Sequence, residues 1–249
     1  MMMEIIGPFI LSLIAGLSTV LGSLFIFIKT KKVNEFICYF LSFSMSIMSL
    51  LSIFDLMPNS SINLINNYGN FFGLIFIILT FLLGYLTIYK INNRVRSTNN
   101  GSSLYKIGIL SMISLILHNF PEGIAVFMSA YTSMELGLKL CIAIMFHNIP
   151  EGILIAIPLF YSGEGKKKAF KYTLLSGLSE PLGALLSYIF LRNYFNEIIL
   201  SFILIFVAGL MISLSLNEIY KEVKKFNLNN IMIAGILTGL LFFLLLSFI

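Results

Sequence analysis

Long apolar stretches recur along almost the whole chain, and they restrict its fold more than any other feature. Each is close to the length of about 20 residues that a helix needs to cross the hydrocarbon core of a bilayer. Eight such spans are predicted, at approximately 5–28, 36–57, 70–90, 105–129, 135–159, 170–191, 196–219 and 229–249. A β-barrel would instead show short segments of alternating polarity. The chain is therefore predicted to be an all-α integral membrane protein that forms a single transmembrane domain over residues 1–249.

The composition supports this class of protein. Hydrophobic residues make up 58% of the chain and charged residues 11%, whereas about a quarter of the residues in a soluble domain are charged. The net charge of +5 does not indicate nucleic-acid binding, because most basic residues lie in short linkers between spans. The two cysteines lie in or at the end of spans and form no CxxC metal motif. We therefore expect a lipid environment and no nucleic-acid partner.

The Lys and Arg residues fall on alternate linkers, and this predicts the orientation of the chain. Fourteen of the 16 lie in the first, third, fifth and seventh linkers. Only Lys139 and Arg192 fall on the other side. Because cytoplasmic loops are enriched in Lys and Arg, both termini are predicted to face outward from a multi-pass protein of the cell membrane.

Two nearly identical motifs, HNFPEG at 118–123 and HNIPEG at 147–152, place ionisable residues inside apolar spans. A charged side chain near the bilayer centre costs at least about 2.5–3.5 kcal/mol, so such residues usually mark a site or a pathway. If the chain enters the membrane at Ile107 in span four and at about Leu136 in span five, His118 and His147, the only histidines, each lie 11 residues in. That corresponds to a depth of about 17 Å. A short linker makes the two spans antiparallel neighbours, so the motifs are predicted to face each other.

The chemistry of these motifs predicts a metal site. Residues three and four apart share one face of a helix, so His, Asn and Glu of each motif converge. Imidazole with carboxylate suits zinc and other divalent transition metals better than calcium or magnesium. The alternative is that each His–Glu pair is a structural hydrogen bond between helices. The predicted ligands are His118, Asn119, Glu122, His147, Asn148 and Glu151.

Span six adds the segment SGLSEPLGA at 176–184, in which Glu180 precedes a proline among small residues. Beside the two motifs, Glu180 is predicted to be a further ligand; the alternative is a glutamate that caps a helix kink. Small residues favour close helix packing, and Gly123 and Gly152 are expected to permit such an approach in the motifs.

Spans two and seven resemble each other, in SIMSLLSIFDLMP at 46–58 and GLMISLSLNEIYK at 209–221. Each contains a methionine, then a serine, then an acid, which is Asp55 in one and Glu218 in the other. The two spans run in opposite directions in the predicted topology, so we predict an inverted repeat of spans one to three and six to eight. Chance similarity between apolar segments is the alternative. Methionine is a soft metal ligand, but Met48 is a weak candidate because methionine in an apolar helix usually serves packing.

HNFPEG, HNIPEG and SEPLGA, in this order on successive spans, resemble the ZIP (Zrt/Irt-like) metal transporters, and most closely their bacterial broad-specificity branch. The resemblance implies eight helices in a 3+2+3 arrangement and inward flow of divalent metal through a binuclear site between spans four and five. It also implies a homodimer that works by an elevator-like movement of spans one, four, five and six. Lys221 and Ser46 depart from the family pattern, which often has proline and glycine there.

The resemblance also assigns the ligands to positions. His118, Glu122, His147 and Glu151 would form one metal position. The second would comprise Asn119, Asn148, Glu180 and the shared carboxylates of Glu122 and Glu151. Met48 matches a family methionine near the first position, and Asp55 matches an acid near the outer mouth, where glutamate is commoner. Asp55 and Glu218 are therefore predicted to serve entrance or secondary positions.

The predicted function is secondary transport of Zn²⁺, with Fe²⁺, Mn²⁺, Co²⁺ and Cd²⁺ as further candidates, and the ion is cargo and not a cofactor. A membrane-embedded metalloenzyme is the main alternative. The chain lacks the HExxH motif of hydrolytic zinc sites, and its His–Glu order is the reverse of that in di-metal carboxylate bundles. A structural scaffold would not need repeated buried ionisable groups. We therefore predict a transporter and not an enzyme.

Overall fold

The computed structural model describes residues 2–98, 102–191 and 197–246, and these contain helices and no β-strand. Five continuous helical stretches among them are long and apolar enough to cross a membrane, and Asn229–Leu245 is a shorter apolar helix. The five are Ile5–Phe27, Val33–Ile91, Ser103–Thr132, Met134–Ile189 and Glu197–Lys225. The prediction of an all-α membrane protein is confirmed at this level.

The α-helices are α1 Met2–Gly22, α2 Val33–Leu51, α3 Met57–Thr98, α4 Ser103–Thr132, α5 Met134–Leu159, α6 Gly165–Gly177, α7 Ser179–Leu186, α8 Glu197–Leu214, α9 Tyr220–Lys225 and α10 Asn229–Leu246. A 3₁₀ segment, Ser23–Phe27, extends α1. Segments of π-helix occupy Ser52–Leu56, Phe160–Glu164, Ser187–Leu191 and Ser215–Ile219. The predicted boundaries at 196 and 249, and Arg192, lie outside the described residues.

The two longest apolar stretches, of 59 and 56 residues, exceed what one crossing requires. Each contains glycine with positive φ. Gly69 has non-helical backbone inside α3, with φ 77° and ψ 165°. Gly163 and Gly165, with φ of 97° and 79°, lie between the body of α5 and that of α6. Because glycine adopts positive φ without the steric cost that other residues meet, the helical path is interrupted where the sequence provides glycine.

The helices group into two compact units. The first unit comprises Met1–Lys29, Ser111–Phe195 and Leu245–Ile249, and the second comprises Thr30–Leu110 and Asn196–Leu244. The first unit thus holds α1, α5, α6, α7 and most of α4. These helices correspond to spans one, four, five and six, the group that the family resemblance implies moves together.

In the first unit, α1 packs lengthwise against α5. Cys141 Sγ donates a hydrogen bond to the Leu11 carbonyl (3.3 Å), and Asn148 Nδ2 donates to the Ala15 carbonyl (2.9 Å). Residue numbers rise in the same direction along both helices, so α1 and α5 are parallel. The apolar core beside this contact consists of Leu11, Ala15, Val126, Ala130, Cys141 and Ile144.

In the second unit, α3 and α8 approach closely at glycines. A Cβ atom at Gly84 would overlap the Phe206 carbonyl, and one at Gly209 would overlap the Phe81 carbonyl. Asn217, in the π-helical segment that follows α8, donates from Nδ2 to Tyr85 Oη of α3 at 2.8 Å. Backbone-to-backbone contact of this kind is the usual role of small residues between membrane helices.

The similarity between spans two and seven extends to the backbone. The π-helical segments Ser52–Leu56 and Ser215–Ile219 begin at the matched serines and contain the matched acids, Asp55 and Glu218. Asp55 is exposed, whereas Glu218 is buried. A π-helical turn inside an α-helix is uncommon and often accompanies a functional position.

Candidate metal centre

The turn between α4 and α5 brings the two HNxPEG motifs face to face. Near the turn, a Cβ atom at Gly137 would overlap Ala130, so the helices are close there. About three turns further on, His147 lies against Glu122, and another turn on, Glu151 lies against His118. Residue numbers fall along one helix as they rise along the other. The helices are therefore antiparallel and in a register that aligns the motifs.

One carboxylate oxygen is shared between the two histidines. Glu122 Oε1 lies 3.0 Å from His118 Nε2 and 2.8 Å from His147 Nε2. Glu151 Oε1 lies 3.2 Å from the same His118 nitrogen. The two imidazole centroids are 6.3 Å apart with an interplanar angle of 45°. Each motif thus supplies one imidazole and one carboxylate to a single cluster.

The cluster has the dimensions of a metal site. Single donor atoms of His118, Glu122 and His147 all lie within 4.8 Å of one another. Nitrogen and oxygen ligands bind zinc at roughly 2.0–2.2 Å, which places tetrahedral neighbours roughly 3–4 Å apart. Small side-chain adjustments would therefore bring these atoms onto one ion. Within the described part of the chain, His118 Nδ1 and Glu122 Oε2 have no hydrogen-bond partner.

A second group of polar atoms borders the first. Asn148 Nδ2 donates to Glu180 Oε1 (2.5 Å) as well as to the Ala15 carbonyl. The Asn119 amide is satisfied when its nitrogen faces Glu151 Oε2 (3.2 Å) and the Leu115 carbonyl (2.9 Å). Two further oxygens, Asn148 Oδ1 and Glu180 Oε2, are buried without a partner in the described residues. Amide and carboxylate oxygens of both motifs and of α7 are thus available beside the histidine cluster.

The glycines of the two motifs allow α7 and α1 to pack closely, and these helices complete the centre. A Cβ atom at Gly123 would overlap the Glu180 carbonyl of α7, and one at Gly152 would overlap the Thr19 carbonyl of α1. The glycines therefore do permit close approach, but to α7 and α1 and not to each other. Gly183 of α7 packs in the same way against the Phe120 carbonyl. This contact places Glu180 on the side of α4 that carries the motif.

Burial makes it costly for the acidic groups of the centre to be charged. Glu122, Glu151 and Glu180 are 5%, 1% and 0% exposed, and His118 and His147 are 4% and 7% exposed. Removing a carboxylate from water costs several kcal/mol unless a positive charge and hydrogen bonds compensate. Three ionised carboxylates beside two neutral imidazoles would carry an excess of negative charge, which a divalent cation would offset.

The remaining predicted residues lie in the second unit. Met48 is buried at 2% exposure in α2, and Asp55 and Glu218 occupy the two π-helical segments. Sequence reasoning missed the contribution of α1, whose Ala15 carbonyl accepts a hydrogen bond from Asn148. A backbone carbonyl is present in every residue, so the sequence does not show which one takes part in a site. Gly16 and Gly22 are a local hint, because a Cβ atom at either would overlap the backbone of a neighbouring helix, at Gly177 and at Ile149.

Comparison with known proteins gives consistent matches over nearly the whole chain. The family model described as ZIP Zinc transporter matches residues 94–247. The zinc transporter ZupT of Clostridium perfringens is 34% identical over 268 residues, covering 96% of this chain and 94% of the relative. ZupT of Streptococcus mutans is 34% identical, covering 97% and 96%, and ZupT of Chlorobium luteolum is 36% identical, covering 93% of each. The similarity therefore extends well beyond the metal motifs.

Proposed function

Because this chain belongs to the ZIP family of metal transporters, we propose that it carries zinc ions across the membrane into the cytoplasm. The observation that supports this most strongly is the Glu122 oxygen that two imidazoles from antiparallel helices share inside an apolar protein. The relatives at about a third identity are named zinc transporters. A family of transporters also argues against the alternative of a membrane-embedded metalloenzyme.

We propose a binuclear site as the place where the ion is bound. His118, Glu122, His147 and Glu151 would hold one ion. Asn119, Asn148, Glu180 and the shared Glu122 and Glu151 would hold the second. Imidazole and carboxylate ligands suit Zn²⁺, and also Fe²⁺, Mn²⁺, Co²⁺ and Cd²⁺. The ion replaces its hydration shell with these ligands on entering the site.

The proposed topology has eight spans in a 3+2+3 arrangement, with both termini outside the cytoplasm. The five continuous stretches become seven when the two longest are divided at Gly69 and at Gly163–Gly165. The apolar helix Asn229–Leu245 is then the eighth, which supports the count of eight. The basic linkers support the orientation. The matched π-helical segments of spans two and seven support the inverted repeat.

We further propose that the first unit carries the ion as one body within a homodimer. The seven residues of the binuclear site all belong to that unit. Glycine contacts join α4 to α7 and α5 to α1 through their backbones, which leaves little room for these helices to move independently. Met48, Asp55 and Glu218 of the second unit would then act on the pathway outside the binuclear site.

Zinc uptake into proteoliposomes that contain a trapped zinc-sensitive dye tests this function. The wild-type protein should take up zinc, and His118→Ala and Glu151→Ala should each lower the rate at least tenfold, because each removes a ligand. Glu135→Gln is a matched control, since Glu135 is exposed and pairs with Lys139 at 2.8 Å. Full uptake by both His118→Ala and Glu151→Ala would overturn the site, and absence of uptake by the wild type would overturn the function.

The direction of transport needs a separate measurement. Intact bacterial cells that express the chain should accumulate radioactive zinc faster than cells that express Glu151→Ala. Lower cellular zinc than in the variant would instead identify an exporter and reverse the proposed direction.

A further inference from the structure

Five fully buried hydroxyl groups of the first unit have no hydrogen-bond partner within residues 2–98, 102–191 and 197–246. They belong to Ser12, Thr19, Ser111, Ser114 and Ser176, all at 0% exposure. Buried polar groups in proteins almost always have a partner, either protein or ordered water. These hydroxyls therefore indicate a polar occupant of the unit interior that is not protein.

Other buried hydroxyls of the same unit show what a serine or threonine ordinarily does there. Thr173 Oγ1 donates to the Ala169 carbonyl at 2.9 Å, and Ser187 Oγ donates to the Ala184 carbonyl at 2.9 Å. Such bonds to the preceding turn are the common way to satisfy a hydroxyl in an apolar helix. The unpaired hydroxyls lack this bond, so the difference comes from their positions and not from their residue type.

Two of the unpaired hydroxyls continue the polar face of α4. Ser114 and Ser111 precede His118 by four and seven residues, and they are buried with it. Positions with these spacings lie on one face of a helix. At 1.5 Å per residue, they lie about 6 and about 10 Å along the helix axis from His118.

Two further hydroxyls lie towards the same end of the centre, on α1 and α6. Ser176 precedes Glu180 by four residues, and Thr19 follows Ala15 by four. A Cβ atom at Gly177 would lie 3.4 Å from Thr19 Cβ, which places Thr19 of α1 beside the residue that follows Ser176 in α6. Because α1 is parallel to α5 and α5 is antiparallel to α4, residues after Ala15 and residues before His118 lie towards one end.

We propose that Thr19, Ser111, Ser114 and Ser176 line an exit path along which a divalent ion leaves the metal centre towards the cytoplasm. This path rests on the proposed function and topology, which direct that end of the first unit to the cytoplasm. Ser12 precedes Ala15 and lies towards the opposite end, so it is not part of the path.

The chemistry of a hydroxyl suits release. Zinc prefers imidazole, thiolate and carboxylate ligands, so neutral hydroxyl oxygens bind it weakly and let water return to its shell. A transported ion must bind tightly enough to enter and weakly enough to leave. A tight centre followed by weak oxygen ligands meets both conditions.

The first test removes the hydroxyls at nearly constant volume, in the triple variant Thr19→Val/Ser114→Ala/Ser176→Ala. The maximal rate of zinc uptake should fall at least about tenfold, since three positions each lose an interaction worth about one hydrogen bond. Equilibrium zinc affinity of the purified protein should stay within about twofold, because the ligands of the centre are kept. The control variant Thr173→Val/Ser187→Ala, whose hydroxyls bond to their own helices, should keep the wild-type rate. A wild-type maximal rate in the triple variant would overturn the path.

The second test does not depend on transport. Thiolate is a strong zinc ligand, so the reduced double variant Thr19→Cys/Ser176→Cys should retain one more zinc ion per chain after gel filtration, as measured by mass spectrometry of the metal. Thr173→Cys/Ser187→Cys should retain the same amount of zinc as the wild type. Equal zinc in all three proteins would overturn the path. Failure of wild-type uptake would overturn the proposed function without changing this result.

Discussion

Replacing Gly123 with alanine tests whether close backbone contact between α4 and α7 positions Glu180. A Cβ atom there would lie 2.5 Å from the carbonyl carbon of Glu180 and 2.6 Å from its Cα. Carbon atoms prefer separations of about 3.5–4.0 Å, so the two backbones must move apart by about 1 Å. Overpacking of this kind costs roughly 1–3 kcal/mol, which exceeds the gain of up to about 1 kcal/mol from alanine in a helix.

The same displacement should weaken zinc binding, because it moves the Glu180 carboxylate away from Asn148 and from the centre. Loss of an orienting contact at a metal site typically lowers affinity about 10–100-fold. Thermal unfolding in detergent and calorimetric zinc titration measure the two effects. Gly7→Ala is the control, because its Cβ would meet only the flexible end of Met134, with the nearest atom at 3.1 Å. A Gly123→Ala protein that melts and binds zinc as Gly7→Ala does would refute the reasoning.

Three further predictions concern other parts of the chain. Asn148→Ala removes the donor 2.5 Å from Glu180 Oε1 and should lower zinc affinity about 10–100-fold in the same titration; an unchanged affinity would show that the amide is dispensable. Ser103 Oγ donates to Glu222 Oε1 at 2.7 Å in the second unit, so Ser103→Ala should lower the unfolding free energy by about 0.5–1.5 kcal/mol. Its zinc affinity should stay at the wild-type value, and a large drop would contradict the division of roles between the units. Lys167→Cys should react with an impermeant thiol reagent only from the cytoplasmic side, and labelling of intact cells would reverse the topology; both native cysteines are buried.

The pairing of the two HNxPEG motifs could be predicted from the sequence because it depends on short-range rules. The two histidines are equally deep in consecutive spans, and a linker of a few residues joins those spans. Helical spacing then places His and Glu of each motif on one face. The observed contacts of His118 with Glu151 and of His147 with Glu122 follow from those rules.

The role of α1 could not be predicted in this way, because it depends on contacts between residues far apart in the chain. Asn148 donates a hydrogen bond to the Ala15 carbonyl, 133 positions away, and no side chain of α1 indicates that contact in the sequence. The motif glycines indicated close packing but not the helix they would meet. The π-helical segments at Asp55 and Glu218 also have no local sequence signal, although the similarity of the two spans indicated related structures.

The central claim is that imidazoles from both motifs bind the same transported ion. The X-ray absorption spectrum of the zinc-loaded protein measures this most directly, because imidazole rings give a characteristic outer-shell signal. For protein that holds one zinc ion per chain, we predict nitrogen and oxygen ligands at about 2.0–2.1 Å, with two imidazoles in the wild type and one in His147→Gln. A sulfur shell at about 2.3 Å, or an imidazole signal that His147→Gln leaves unchanged, would contradict the claim.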